Sequence, residues 1–128
     1  MEKIKVIVEK TGTGYSAYNN SYPGVVSAAR SWDELKRQYD EAIELHFEGM
    51  AEEGENIPEN YKLEFVLDLE QFFDFYDIFN VSALAGRIGM NPTQLHQYKD
   101  GHKQPSEKTS LKILNGIHTL AEDLLSVR

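Results

Sequence analysis

The sequence predicts an α+β protein in two parts: a β-β-β-α-β module over residues 1–68 and an all-α module over residues 69–128. Three observations carry that expectation. Lys3 to Lys10 (KIKVIVEK) alternates β-branched and polar residues with the period of a half-buried strand. Leu35 to Met50 repeats apolar residues every three or four positions, the pattern of a helix with one buried face. Asn80 to Ser106 holds two short helical stretches on either side of Gly89-Met90-Asn91, with helix-capping residues at their starts.

Taken in order, Ile4, Val6 and Val8 share one face of the first strand, and Lys3, Lys5, Ile7 and Glu9 the other. Thr11-Gly12-Thr13-Gly14 is a turn and Tyr15 to Tyr18 a returning strand, so the two form a hairpin. The Gly-x-Gly here lacks the third glycine and the following helix of a dinucleotide fingerprint. Asn19 to Gly24 is a loop of turn formers, and Val25 to Arg30 a short third strand. Ser31 with Glu34 fits a capping box. The helix it opens carries Leu35, Tyr39, Ala42, Ile43, His46, Phe47 and Met50 inward, with His46 read as a packing residue. Its outer face carries Glu34, Lys36, Arg37, Asp40, Glu41, Glu44 and Glu48. Glu52 to Asn60 is a loop. Tyr61 to Leu67 is a fourth strand, with Tyr61, Leu63, Phe65 and Leu67 inward. One helix lying on a small sheet is the architecture these elements make.

Asp68 with Gln71 offers a cap for a helix that places Leu69, Phe72, Phe73, Tyr76 and Phe79 on one side. It is assigned to the second module, as the support for the helix pair after it. Ser82 to Ile88 is the first helix of that pair. Asn91 caps the second, Pro92 suits its first position, and Gln94 sits third, where it can close a capping box. Two short helices joined by a glycine-containing turn are the helix-turn-helix signature, whose second helix reads a major groove. Leu95 and Tyr98 anchor that helix inward. Thr93, Gln94 and Gln97 point outward toward base edges, with His96 at the side. Gln pairs bidentately with adenine, and Thr meets a thymine methyl. Lys99, His102 and Lys103 at the helix end, and Ser82 and Arg87 on the first helix, are placed for phosphates. Pro105-Ser106 starts a last helix carrying Leu111, Leu114, Ile117, His118, Ala121 and Leu124. It is longer than a minimal DNA-binding core requires, and the excess is a candidate subunit contact. A single module has a small interface, so a homodimer or higher homo-oligomer on two-fold, double-stranded operator DNA is expected.

Composition restricts the chemistry. The chain has no cysteine, hence no disulfide and no thiolate site, which fits a cytoplasmic protein. Its N-terminus has no apolar signal core, and no stretch approaches a membrane span. Met1 to Phe79 carries seven Lys and Arg against seventeen Asp and Glu, net −10; Asn80 to Arg128 carries six against four, net +2, which recovers the −8 of the whole chain. An acidic front and a mildly basic back suit two different partners. His46, His96, His102 and His118 show no metal-ligand spacing, so neither a metal site nor a cofactor is expected. A two-metal nuclease needs converging carboxylates, and only Glu9 lies on the outer face of the first strand. The chain therefore reads as a binding protein rather than an enzyme.

These motifs carry two resemblances. Leu84 to Ser106 (LAGRIGMNPTQLHQYKDGHKQPS) resembles the Cro/CI, or XRE, family of helix-turn-helix domains. Gly14-Tyr15-Ser16-Ala17, Tyr22 to Ala28 (YPGVVSA), Ser31 to Leu35 (SWDEL) and Glu41 to Glu44 (EAIE), in that order and spacing, resemble the HicB antitoxin domain. The chain departs from that family's common form at Val25, where cysteine is frequent. It departs again at Asn19 to Tyr22, which replace a more usual acidic or apolar run. The resemblance implies a HicB-type antitoxin of a type II toxin–antitoxin system: a truncated ribonuclease-H-like domain over residues 1–68 without a nuclease site, followed by a DNA-binding domain over 69–128. Such a protein masks HicA, a small basic mRNA-cleaving toxin, and represses its own operon. Glu41, Glu44 and Glu48, a spaced acidic ridge, are the candidates for toxin contact. The alternatives are a stand-alone HicB-like transcriptional regulator with no toxin partner and, ranked last, a nuclease.

Overall fold

The computed structural model describes residues 1–127 and divides into two compact units, Met1–Asp68 and Leu69–Arg128. In the first, β1 (Glu2–Lys10), β2 (Tyr15–Tyr18) and β3 (Val26–Ala29) form an antiparallel meander. The chain then crosses over through α1 (Trp32–Glu52), and β4 (Tyr61–Leu67) returns parallel to β1, giving the strand order β3-β2-β1-β4. A parallel return requires a crossover of about a dozen residues or more, and α1 supplies it. The β1–β2 turn closes on Thr11, whose N–H donates to the Gly14 carbonyl at 2.9 Å and whose hydroxyl accepts from the Gly14 N–H at 3.1 Å. Gly14 packs directly on the backbone of Ala29 and Arg30, where a Cβ would collide.

Cross-strand register places Val6 beside Phe65, and Val8 between Leu67 and Ala17, on one face of the sheet. Trp32, Leu35, Tyr39, Ile43 and Phe47 are the buried residues of α1, and Tyr39 meets Phe65 edge-on at 6.0 Å. Full burial of each aliphatic side chain stabilises by about 1.5–3 kcal/mol. Ser31 accepts from the Glu34 N–H at 3.2 Å as the N-cap, but the Glu34 carboxylate reaches forward to Gln38 at 3.1 Å. The opposite face departs from simple alternation. Ile7, expected outward among the lysines, is 7% exposed, and its register partner Val66 is 1% exposed. Hydrophobic side chains therefore line both faces of the β1–β4 pair at Ile7 and Val66, as in a strand buried on two sides.

The second unit is α2 (Leu69–Phe75), α3 (Val81–Ile88), α4 (Pro92–Lys99) and α5 (Glu107–Leu125). Phe72, Phe73, Tyr76 and Phe79 form an aromatic cluster around the α2–α3 turn, with Phe72 and Phe73 edge-to-face at 5.5 Å. Asn80 caps α3 by accepting from the Ala83 N–H at 3.1 Å, and Ser106 caps α5 by accepting from the Thr109 N–H at 3.1 Å. The buried stripe of α5 is Ser110, Ile113 and Leu114. Leu111 and Ile117 are half-buried, and His118, Ala121 and Leu124 of the expected stripe are exposed. The helix is thus rotated from the expected face, because Ile113 rather than Leu111 takes the central position against the core. Gly116 admits the Ile88 side chain at a separation that a Cβ would close to 2.6 Å. Among the described residues, no helix is long and apolar enough to cross a membrane.

Candidate functional site

Two surfaces concentrate polar chemistry, one in each unit. In the second, α3 and α4 meet at a turn whose geometry the sequence dictates. Gly89 sits at φ +79° and ψ 36°, the left-handed region that favours glycine. Its N–H and that of Met90 both donate to the Ala85 carbonyl, at 3.0 and 2.9 Å, which closes α3. Asn91 then caps α4, its side-chain oxygen accepting from the N–H of Thr93 at 2.8 Å and of Gln94 at 3.4 Å. Leu95 is fully buried and Tyr98 nearly so, which fixes the rotation of α4 about its axis.

That rotation leaves Thr93, Gln94 and Lys99 exposed and His96 and Gln97 half-exposed. The Gln94 amide donates forward to the Tyr98 hydroxyl at 2.9 Å, instead of turning back to complete a capping box. His96 Nε2 lies 3.0 Å from Ser82 Oγ, so a candidate base-reading residue and a candidate phosphate residue stand side by side across the two helices. Arg87 lies 3.8 Å from Asp123 on α5, with both side chains well exposed, a contact weak enough to be exchanged for another anion. At the far end of α4 the His102 N–H donates to the Gln97 carbonyl at 3.0 Å and the Gly101 N–H to that of Tyr98 at 3.2 Å. With Gly101 at φ +80°, this is a Schellman closure. It holds the exposed His102 and Lys103 at the helix end beside Lys99. The Glu70 carboxylate occupies the space next to Gly101, so a negative charge sits at the margin of this basic group. The unit as a whole carries six Lys and Arg against seven Asp and Glu, because α2 and its following turn contribute Glu70, Asp74 and Asp77.

In the first unit the acidic ridge is real as a surface: Glu41, Glu44 and Glu48 are all exposed on one stripe of α1. Tyr61 feels it. Burial pushes the Tyr61 hydroxyl above its ordinary pKa, and the charges of Glu44 and Asp40 push it further the same way. Next to the ridge lies a groove between α1 and the Tyr22-Pro23-Gly24 turn. A buried network holds that turn. Asn19 donates to the Tyr39 hydroxyl and accepts from the Tyr22 N–H at 2.7 Å, while the Tyr39 hydroxyl donates to the Val25 carbonyl at 3.2 Å. Sequence reasoning placed Asn19 only in a loop. Its readable signal was an Asn that can bond its own backbone a few residues on; the Tyr39 partner, twenty positions away, was not readable. Among the described residues, no three His, Cys, Asp or Glu lie together as metal ligands could.

Comparison with known proteins identifies the class. Residues 4–85 match the family model of the HicB-like antitoxin of bacterial toxin–antitoxin systems, and the chain belongs to that family. The match covers the α/β layer from Ile4 in β1 onward and ends within α3, before α4 begins. A relative is an uncharacterized 14.9 kDa protein from the rep-hol intergenic region of Haemophilus phage HP1 (strain HP1c1), 31% identical over 70 residues. That alignment covers 55% of this chain and 53% of the phage protein, so the chain spans about half the length of the relative it matches. No solved structure matches.

Proposed function

We propose that this protein is the antitoxin of a type II toxin–antitoxin system, binding and neutralising a HicA-like mRNA-cleaving toxin with its first unit and repressing its own operon with its second. The antitoxin half rests on family membership. The repressor half rests on one observation, the left-handed Gly89 turn that delivers a capped and doubly anchored α4 with its polar side outward. In this reading the second unit is a Cro/CI-type helix-turn-helix DNA-binding domain. Thr93, Gln94, Gln97 and His96 face base edges, and Ser82, Arg87, Lys99, His102 and Lys103 face phosphates. Gln94 arrives held by Tyr98, which reduces the side-chain entropy lost on forming a bidentate contact. Glu41, Glu44 and Glu48 present the toxin with negative charge. The protein works in the cytoplasm, as a homodimer or higher homo-oligomer, by binding rather than by catalysis and without a cofactor.

The test has two arms. Co-expression with a HicA-like toxin restores growth, whereas a toxin that stays fully lethal removes the antitoxin reading. In a mobility-shift assay on the operon's own promoter, Thr93→Ala or Gln97→Ala weakens binding by about 1–3 kcal/mol. Unchanged affinity and sequence preference in both variants would take α4 out of the groove.

A further inference from the structure

We propose that the toxin is anchored not on the acidic ridge itself but in the groove beside it, where the Pro23-Gly24 turn faces Leu45, Gly49 and Met50 of α1. This inference rests on the antitoxin reading and names the seat of the partner within it. The groove has a volume of about 660 Å³. Leu45, at its edge, is 70% exposed on a helix whose other outward positions are largely polar. Gly24 and Gly49 contribute no side chain, so backbone from both walls is open to a partner. Both walls are firm. One is formed by the last turns of a 21-residue helix, closed at Glu53 by N–H bonds to the Gly49 and Met50 carbonyls. The other is the turn held by the Asn19–Tyr39–Val25 network, so little ordering is required on binding.

Charge selects the occupant. Residues 38–61 carry eight Asp and Glu and no Lys or Arg. Glu53 and Glu55 stand at the groove itself. An apolar floor with an acidic rim suits a Lys or Arg side chain, whose alkyl stem packs on Leu45 and Met50 while its head meets the rim carboxylates. A basic protein is therefore the occupant to which the groove commits, with its anchoring cation seated here. Glu41, Glu44 and Glu48 then act at longer range, steering the partner toward the groove.

Gly49→Arg tests this directly. A Cβ at Gly49 meets nothing within 4 Å, so the larger residue fills the groove without disturbing the fold. Replacing a helical glycine also favours α1. A HicA-like toxin, carried as a catalytically inactive variant, is titrated against the full-length chain. Gly49→Arg is expected to weaken binding by at least about ten-fold with a melting temperature no lower than that of the unaltered chain, and Leu45→Asn, which removes the apolar contact without adding charge, to weaken it comparably. Glu44→Lys is expected chiefly to slow association, and less so as salt is raised. If the unaltered chain binds and both groove variants bind equally well, the groove is not the seat and the antitoxin reading stands. If the unaltered chain does not bind this toxin at all, both fall together.

Discussion

Asn19 shows how much one loop residue can control. Its amide bridges Tyr39, which is fully buried in α1, to the backbone at Tyr22, and Tyr39 continues the bridge to Val25. Asn19→Ala would take the acceptor from the Tyr22 N–H and one of two partners from the Tyr39 hydroxyl, at a cost of about 1–3 kcal/mol, read as a lower denaturation midpoint with unchanged m-value. Tyr39 also makes stability depend on pH. Burial raises its pKa above the ordinary 10.0, against a smaller lowering by the Asn19 hydrogen bond. The unfolded chain therefore loses this proton first. Stability is complete below about pH 10 and falls as pH rises through the higher folded value. Tyr18, Tyr22 and Tyr61 are raised as well, chiefly by burial, and act in the same direction. Melting curves followed by the fluorescence of Trp32, the single tryptophan, should show this alkaline loss, with a shallower slope in Tyr39→Phe. An identical slope in the variant would mean that Tyr39 does not carry it.

The elements were readable wherever one local rule decided them. Alternation placed β1 and β4, caps placed the starts of α1 and α4, Pro105-Ser106 placed that of α5, and Gly89 placed the turn. The readings failed where a distant partner decided. Ile7 and Val66 are buried on the face that alternation assigned to lysines, since period two reports which residues share a face and not whether that face is covered. The expected stripe of α5 was off by a rotation because Leu111 and Ile113 compete for the core and only packing chooses between them. The seam between Pro23-Gly24 and Gly49 joins segments about twenty-five positions apart, beyond any local pattern. Gly89→Ala is the sharp test at this scale. It forces a Cβ into a left-handed conformation and should destabilise the second unit by about 1–2 kcal/mol, without moving the Trp32 signal of the first unit below its own transition. The distal half of α5 carries a different expectation. Leu124 is 60% exposed and Ile78 is 82% exposed, and Leu120, Ile78 and Phe79 line a small recess of about 160 Å³. If a second copy covers this face, Leu124→Asp enters the interface twice by symmetry and costs about 3–6 kcal/mol of dimer stability. Sedimentation should then show monomers for the variant; an unchanged mass would place the subunit contact elsewhere.

For the whole molecule, the proposed repressor role turns on the charge that DNA would meet. The chain is net −8, and the second unit alone carries seven acids against six bases, so a single copy has no electrostatic surplus to bring to a duplex. Attraction must come from a local group, Lys99, His102 and Lys103 at the end of α4, held there by the Gly101 closure. If two copies bind together, as proposed, that group is doubled, so operator binding should be steep in protein concentration as well as in salt. Each phosphate neutralised contributes a slope of about −0.9 to the logarithm of affinity against the logarithm of salt. Lys103→Gln removes one such contact per copy. On a two-fold operator the slope should become shallower by about 1.8, with affinity reduced about equally for specific and unrelated sequences. Thr93→Ala should do the reverse, keeping the slope and losing the preference for the operator. Running both variants over the same salt series separates the two roles. If Lys103→Gln leaves the slope unchanged, the end of α4 does not touch the DNA backbone, and the orientation assigned to the reading helix is wrong.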